Sequence, residues 1–160
     1  MSRRPRLTLE RTYDATPAEV WDLWTTKDGI EAWWGPDGFK VEVEALDLRP
    51  GGDCVYAMSA TGPEQMDYMT QAGMPLITQH RLTYLEVDPP HRLAYKSVAD
   101  FIPDVEPYEV QTHLELKAIE DGTRMVLTFD SMHDDRWTQL ATMGHESELN
   151  RLADALAARS

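Results

Sequence analysis

At 160 residues, with 42% hydrophobic and 27% charged side chains, the chain has the make-up of one globular domain, 1–160, with apolar surface for one core. Its 28 acidic against 15 basic residues give a formal net charge of -13, which repels phosphate backbones and anionic lipid surfaces and sets nucleic acid aside as a partner. The lone cysteine, Cys54, rules out an intramolecular disulfide and a multi-cysteine zinc site and fits a reducing cytoplasm, and the basic start Met1–Arg6 meets no apolar h-region, so neither secretion nor membrane insertion is expected.

Leu7, Leu9 and Arg11 alternate with Thr8, Glu10 and Thr12, which predicts a first strand over 6–13. Thr16-Pro17-Ala18-Glu19 supplies an N-cap, a proline at the first helical position and a glutamate at the third, so a short helix is predicted over 17–25. Asp28-Gly29 reads as an interruption before a second short helix from Ile30 to Trp34, stopped by Gly35-Pro36. Alternation resumes at Phe39, and its apolar set changes phase at Leu46 and Leu48, the mark of a β-bulge. Pro50-Gly51-Gly52 turns the chain into a strand from Cys54 to Met58. Residues 59–75 lose periodicity and read as a long loop, in which Met66, Tyr68, Met69 and Met74 are candidates for an adaptable apolar lid. Strands are predicted at 76–87, 91–98, 108–119 and 123–131, seven in all. From Arg136, a stripe of Trp137, Leu140, Ala141, Gly144, Leu149, Leu152, Ala153 and Leu156 predicts an amphipathic helix of about six turns over 136–158.

Four motifs fall in register: Ala15-Thr16-Pro17-Ala18-Glu19-Val20-Trp21, Trp33-Trp34-Gly35-Pro36, Asp47-Leu48-Arg49-Pro50-Gly51-Gly52 and Glu86-Val87-Asp88-Pro89-Pro90-His91-Arg92-Leu93. Through them the chain resembles bacterial homologues of the activator of heat shock protein 90 ATPase, a branch of the START-like superfamily. The resemblance implies an α+β helix-grip fold: a seven-stranded curved antiparallel sheet wrapped around a long C-terminal helix, with two short helices after the first strand. It also implies a cavity for an apolar or aromatic small molecule. Segments 59–75 and 98–107 look longer than the family's usual connections, and Gly144-His145 stands where the family often shows Gly-Trp.

His80, His91, His113, His133 and His145 are scattered, without metal-ligand spacing, and no glycine-rich phosphate loop or Gly-x-Ser-x-Gly elbow occurs, so no metal or cofactor is expected. His133-Asp134-Asp135 reads as the N-cap of the long helix, and Cys54 as packing. Trp33 and Trp34 are neighbours, so one is expected in the core and Trp34 at the entrance of a pocket. His80 shares strand parity with Leu82 and Tyr84, and Tyr108 and Thr112 share it with Val110 and Leu114, which makes His80, Tyr84, Tyr108 and Thr112 candidate polar fixtures in an apolar site. His145 falls on one stripe with Leu149, Leu152 and Leu156. The expected ligand-binding set is therefore Trp34, Met69, His80, Tyr84, Tyr108, Thr112 and His145, with no catalytic residue assigned. Non-catalytic binding of a hydrophobic or aromatic small molecule is the leading expectation. The alternatives are a cyclase or lyase acting on a polyketide-like substrate in the same pocket, with His80 or His145 as base and Tyr84 or Tyr108 polarising a carbonyl, and an interaction domain that modulates a chaperone; a homodimer is a further candidate partner.

Overall fold

The computed structural model describes residues 6–34, 38–99 and 106–159. Gly35-Pro36, Pro103 and most of segment 98–107 lie outside them. The first strand, β1 (Arg6–Tyr13), has the predicted bounds. The helix α1 (Pro17–Thr25) begins as its cap dictates, with the Thr16 hydroxyl accepting from the Glu19 amide at 3.2 Å. The second helix, α2 (Lys27–Trp33), starts earlier than expected because the Thr26 hydroxyl accepts from the Gly29 amide at 3.0 Å and caps it. Gly29 does not interrupt this helix. A Cβ there would collide with the Asp22 carbonyl oxygen, so the missing side chain lets α1 and α2 approach.

The strands β2 (Phe39–Leu46) and β3 (Asp53–Ala60) pair with a register shift between Val43 and Ala45, beside the expected phase change. The expected loop at 59–75 is corrected: it contains a helix, α3 (Pro63–Gln71). Gly62 and Pro63 are its N-cap and first position, a signal hidden because Met69 alone is buried and no apolar stripe forms. The strands β4 (Ile77–Asp88), β5 (Arg92–Ala99), β6 (Tyr108–Ile119) and β7 (Gly122–Asp130) follow, then the long helix α4 (Asp135–Arg159).

The seven strands form one sheet in the order β1-β7-β6-β5-β4-β3-β2, with antiparallel neighbours throughout. Consecutive β1 and β2 therefore lie on opposite edges, and α1 and α2 carry the chain between them. The pairing is incomplete in one place. β4 pairs with β3 as far as Ile77, but its pairing with β5 ends at Leu82 and Ser97, while β5 continues beside β6 to Ala99. The sheet thus parts between residues 77–81 and 98–99.

α4 is anchored by Leu149, Leu152 and Leu156, all buried in the core, and the Tyr13 hydroxyl donates to the Leu149 carbonyl oxygen at 3.2 Å. Leu140 and Ala153, expected on the same stripe, are exposed. Leu140 precedes Leu149 by about two and a half helical turns, which points the two side chains in opposite directions.

Candidate functional site

The concave face has a closed end and an open end. At the closed end, Trp24, Trp33 and Trp34 meet edge to face, with ring centroids 4.7, 5.3 and 5.1 Å apart, geometry that aromatic quadrupoles favour. The Trp33 Nε1 donates to the Leu23 carbonyl oxygen at 2.7 Å. Both Trp33 and Trp34 are buried, so Trp34 does not border an entrance as expected; the turn at the end of α2 folds it inward against Tyr56 and Tyr95. What space remains is an enclosed cavity of about 10 Å³, walled by Trp24, Trp34, Cys54, Tyr56, Tyr84 and Tyr95, too small for an organic molecule. Burial pushes the Cys54 thiol up to about 11, which suits packing and not nucleophilic attack.

The open end is a cleft of about 640 Å³ where the sheet parts, between the N-terminal half of α4 and strands β3 to β6. From the sheet it is lined by Tyr56, Met58, His80 and Val110, and from the helix by His145 and Glu148. Gly144 also lies on this wall, and the space where its side chain would project is vacant within 4 Å. Tyr56 and His80 sit opposite each other on β3 and β4, which stacks their rings at 5.3 Å and 21°. His80 Nε2 lies 2.8 Å from the Thr78 hydroxyl. The His145 ring packs on Phe129 at 4.4 Å.

The two ionisable groups of α4 are shifted in opposite directions by one cause. Burial drives the His145 pKa down to about 4, leaving the imidazole neutral near pH 7, and drives Glu148 up to about 7, against the pull of Arg151. Each keeps some surface on the cleft while protein encloses its other sides. The charge of Glu148 reaches the hydroxyls of Tyr56 and Tyr95, both of which burial keeps protonated far above their ordinary range.

Of the expected set, His80 and His145 meet at this cleft. Trp34 and Tyr84 belong to the wall of the closed cavity, with Tyr84 beside Cys54. Thr112 is buried on β6, opposite Tyr95 on β5. Tyr108 holds the start of α4: its hydroxyl lies 3.0 Å from His133 Nδ1 and accepts from the His133 amide at 3.2 Å. Met69 is buried on α3, while Met66, Tyr68 and Met74 are exposed. Asp134 is the N-cap of α4, accepting from the Trp137 amide at 2.8 Å. Tyr56 and Glu148 were absent from the expected set. For Glu148 the signal was present, since it follows His145 by three residues and precedes Leu152 by four, which puts it on the inward stripe.

Among the described residues no helix is long and apolar enough to cross a membrane. A curved antiparallel sheet gripping a long C-terminal helix defines an α+β helix-grip protein of the START-like class. Within that class the chain belongs to the family described as Activator of Hsp90 ATPase homolog 1-like protein, which matches residues 14–159. No curated protein sequence matches it. Similar folds occur in the AHSA1 protein from Silicibacter pomeroyi, at 21% identity and a TM-score of 0.76 over 98% of this chain and 100% of that one. A protein from Chromobacterium violaceum is similar at 21% identity and a TM-score of 0.75, over 94% and 96% of the two chains. An AHSA1-like protein from Aeromonas hydrophila is similar at 18% identity and a TM-score of 0.74, over 97% and 94%.

Proposed function

We propose that this chain binds one small, largely apolar molecule in the cleft beside the N-terminal half of α4 and does not turn it over. The cleft itself carries this reading: about 640 Å³ is the size of a small-molecule site, whereas the interior proper is packed to about 10 Å³. Tyr56, Met58 and Val110 supply apolar wall, and His80, His145 and Glu148 supply a few convergent polar groups, the mixture that orients a ligand. Trp34, Tyr84 and Thr112 act from behind, holding Tyr56 and Tyr95 in place. Non-catalytic binding is supported by the neutral His145, packed on Phe129, and by the buried, unreactive Cys54. Tyr108 and Met69 serve as structural supports of α4 and α3. The reduced thiol also suits the cytoplasm.

Titration with naphthylmethanol, a neutral aromatic probe, followed by NMR of the histidine and tyrosine rings, tests the proposal. Saturable binding that moves the signals of Tyr56, His80 and His145 together is expected. Binding that moves the rings of Trp24 and Tyr84 and leaves those three unchanged would place the ligand elsewhere and end this reading.

A further inference from the structure

The chemistry of the cleft says which end of a ligand it receives. Glu148 brings a carboxylate to the inward stripe of α4, and among the described residues it forms no salt bridge. The nearby cation, Arg151, pulls on Glu148 and also donates to the Phe39 carbonyl oxygen at 3.3 Å. Glu148 shares the cleft with His145 and with the His80 ring stacked on Tyr56, and its charge acts on the Tyr56 and Tyr95 hydroxyls. The lysine and arginine on the outer mouth are matched by acids, Lys96 with Glu109 at 3.3 Å and Arg81 with Asp53 at 3.7 Å. An anionic headgroup entering here would meet the Glu148 acid at the base of the cleft, and the cation beside it, Arg151, already acts on that acid. A cation would find a carboxylate partly stripped of water among aromatic rings whose faces attract positive charge. The net charge of -13 also draws cations toward the molecule.

Granted that the cleft holds a ligand, as proposed above, we infer that it selects amines: the ligand's ammonium sits against the Glu148 carboxylate, and its apolar body lies across Met58, Val110 and the bare backbone at Gly144. A carboxylate held partly out of water in the cleft wall is unfavourable, and an ammonium that both neutralises it and donates hydrogen bonds offsets that cost. Fatty acids and other carboxylates of the same shape are rejected by the same group.

Three probes of one shape separate the possibilities: naphthylmethylamine, naphthylmethanol and naphthoate, each titrated calorimetrically into the intact chain. At pH 8 the amine is expected to bind about tenfold to a hundredfold more tightly than the alcohol, the range of a charge-assisted hydrogen bond, with naphthoate weakest. In Glu148→Gln, whose side chain is nearly isosteric, the amine's advantage over the alcohol should vanish; a cooperative melting transition no lower than the parent's certifies the fold. The amine's affinity should rise from pH 6 to pH 8 and binding should release a proton, read as a dependence on the buffer's ionisation heat. His80→Gln should keep that rise if Glu148 is its source. Equal binding of all three probes at the cleft leaves the ligand site standing and sinks the amine. So does an alcohol that outcompetes the amine and binds more tightly at low pH, because the protonated acid would then be serving as a donor. Failure of every probe to reach Tyr56, His80 and His145 overturns the ligand site itself.

Discussion

The two halves of α4 face the same sheet and do opposite things. The C-terminal half puts Leu149, Leu152 and Leu156 into the core, while the N-terminal half presents Ala141, Gly144, His145 and Glu148 to a cleft. Both follow one helical stripe, so the difference lies in side-chain size and polarity. Branched aliphatic groups fill the space between helix and sheet and weld them together. Small residues leave space, and ionisable ones need a solvated or liganded side. Close packing and open space are thus separated along a single helix.

Substitutions can break that separation, and the largest effect belongs to the welded half. Leu152→Ala should cost about 2–5 kcal/mol, measured by urea unfolding, because the side chain is fully buried and the core cannot collapse into the gap. A variant as stable as the parent would mean that α4 does not close the sheet.

The open half should reveal itself through pH. Glu148 keeps its proton in the fold up to about pH 7, above its ordinary 4.5, so the folded state binds more protons across that window and stability falls as pH rises through it. His145 stays neutral down to about 4, below its ordinary 6.5, so its contribution rises with pH from about 4 to 6.5. Where the windows overlap the slopes oppose each other. Glu148→Gln removes one of them: stability should then climb from pH 4.5 to 6.5, and at pH 8 the variant should exceed the parent by at most about 3 kcal/mol. Parallel stability curves for parent and variant from pH 4.5 to 8 would show that the carboxylate is solvated like any surface acid.

Smaller effects sharpen the comparison. Asp134→Ala removes the cap of α4 and should cost about 1 kcal/mol, lowering the melting temperature by a few degrees without altering ligand affinity. Gly144→Ala should act in the other direction, stabilising the helix by about 0.5–1 kcal/mol while weakening ligand binding, because its methyl enters vacant space on the cleft wall. A variant that gains stability and keeps full affinity for naphthylmethanol would show that the ligand does not lie over this residue.

Strand periodicity and cap chemistry made the fold readable: β1 and the cap of α1 at Thr16 needed nothing beyond neighbouring residues. α3 stayed hidden because the only buried side chain it contributes is Met69, and a helix with one inward residue leaves no period to detect. The site was half legible. Parity placed His80, Tyr84 and Thr112 on the concave face, but parity cannot say which part of that face is filled. That depends on Trp24, Trp33 and Trp34 closing one end, a tertiary arrangement with no local signature. The parting of β4 from β5 was equally invisible, since where two strands stop pairing is a matter of their tertiary course and not of the residues at 77–81 and 98–99.

The three packed indoles also give the molecule an optical marker. Transition dipoles held about 5 Å apart at steep angles couple, so Trp24, Trp33 and Trp34 should add an exciton couplet to the far-ultraviolet circular dichroism, and helix content read naively from that spectrum will be distorted. Because the coupling exists only while the rings keep their mutual geometry, it tracks the closed end alone. A molecule entering at Tyr56 and His145 should leave the couplet unchanged, and heating should abolish it together with the core.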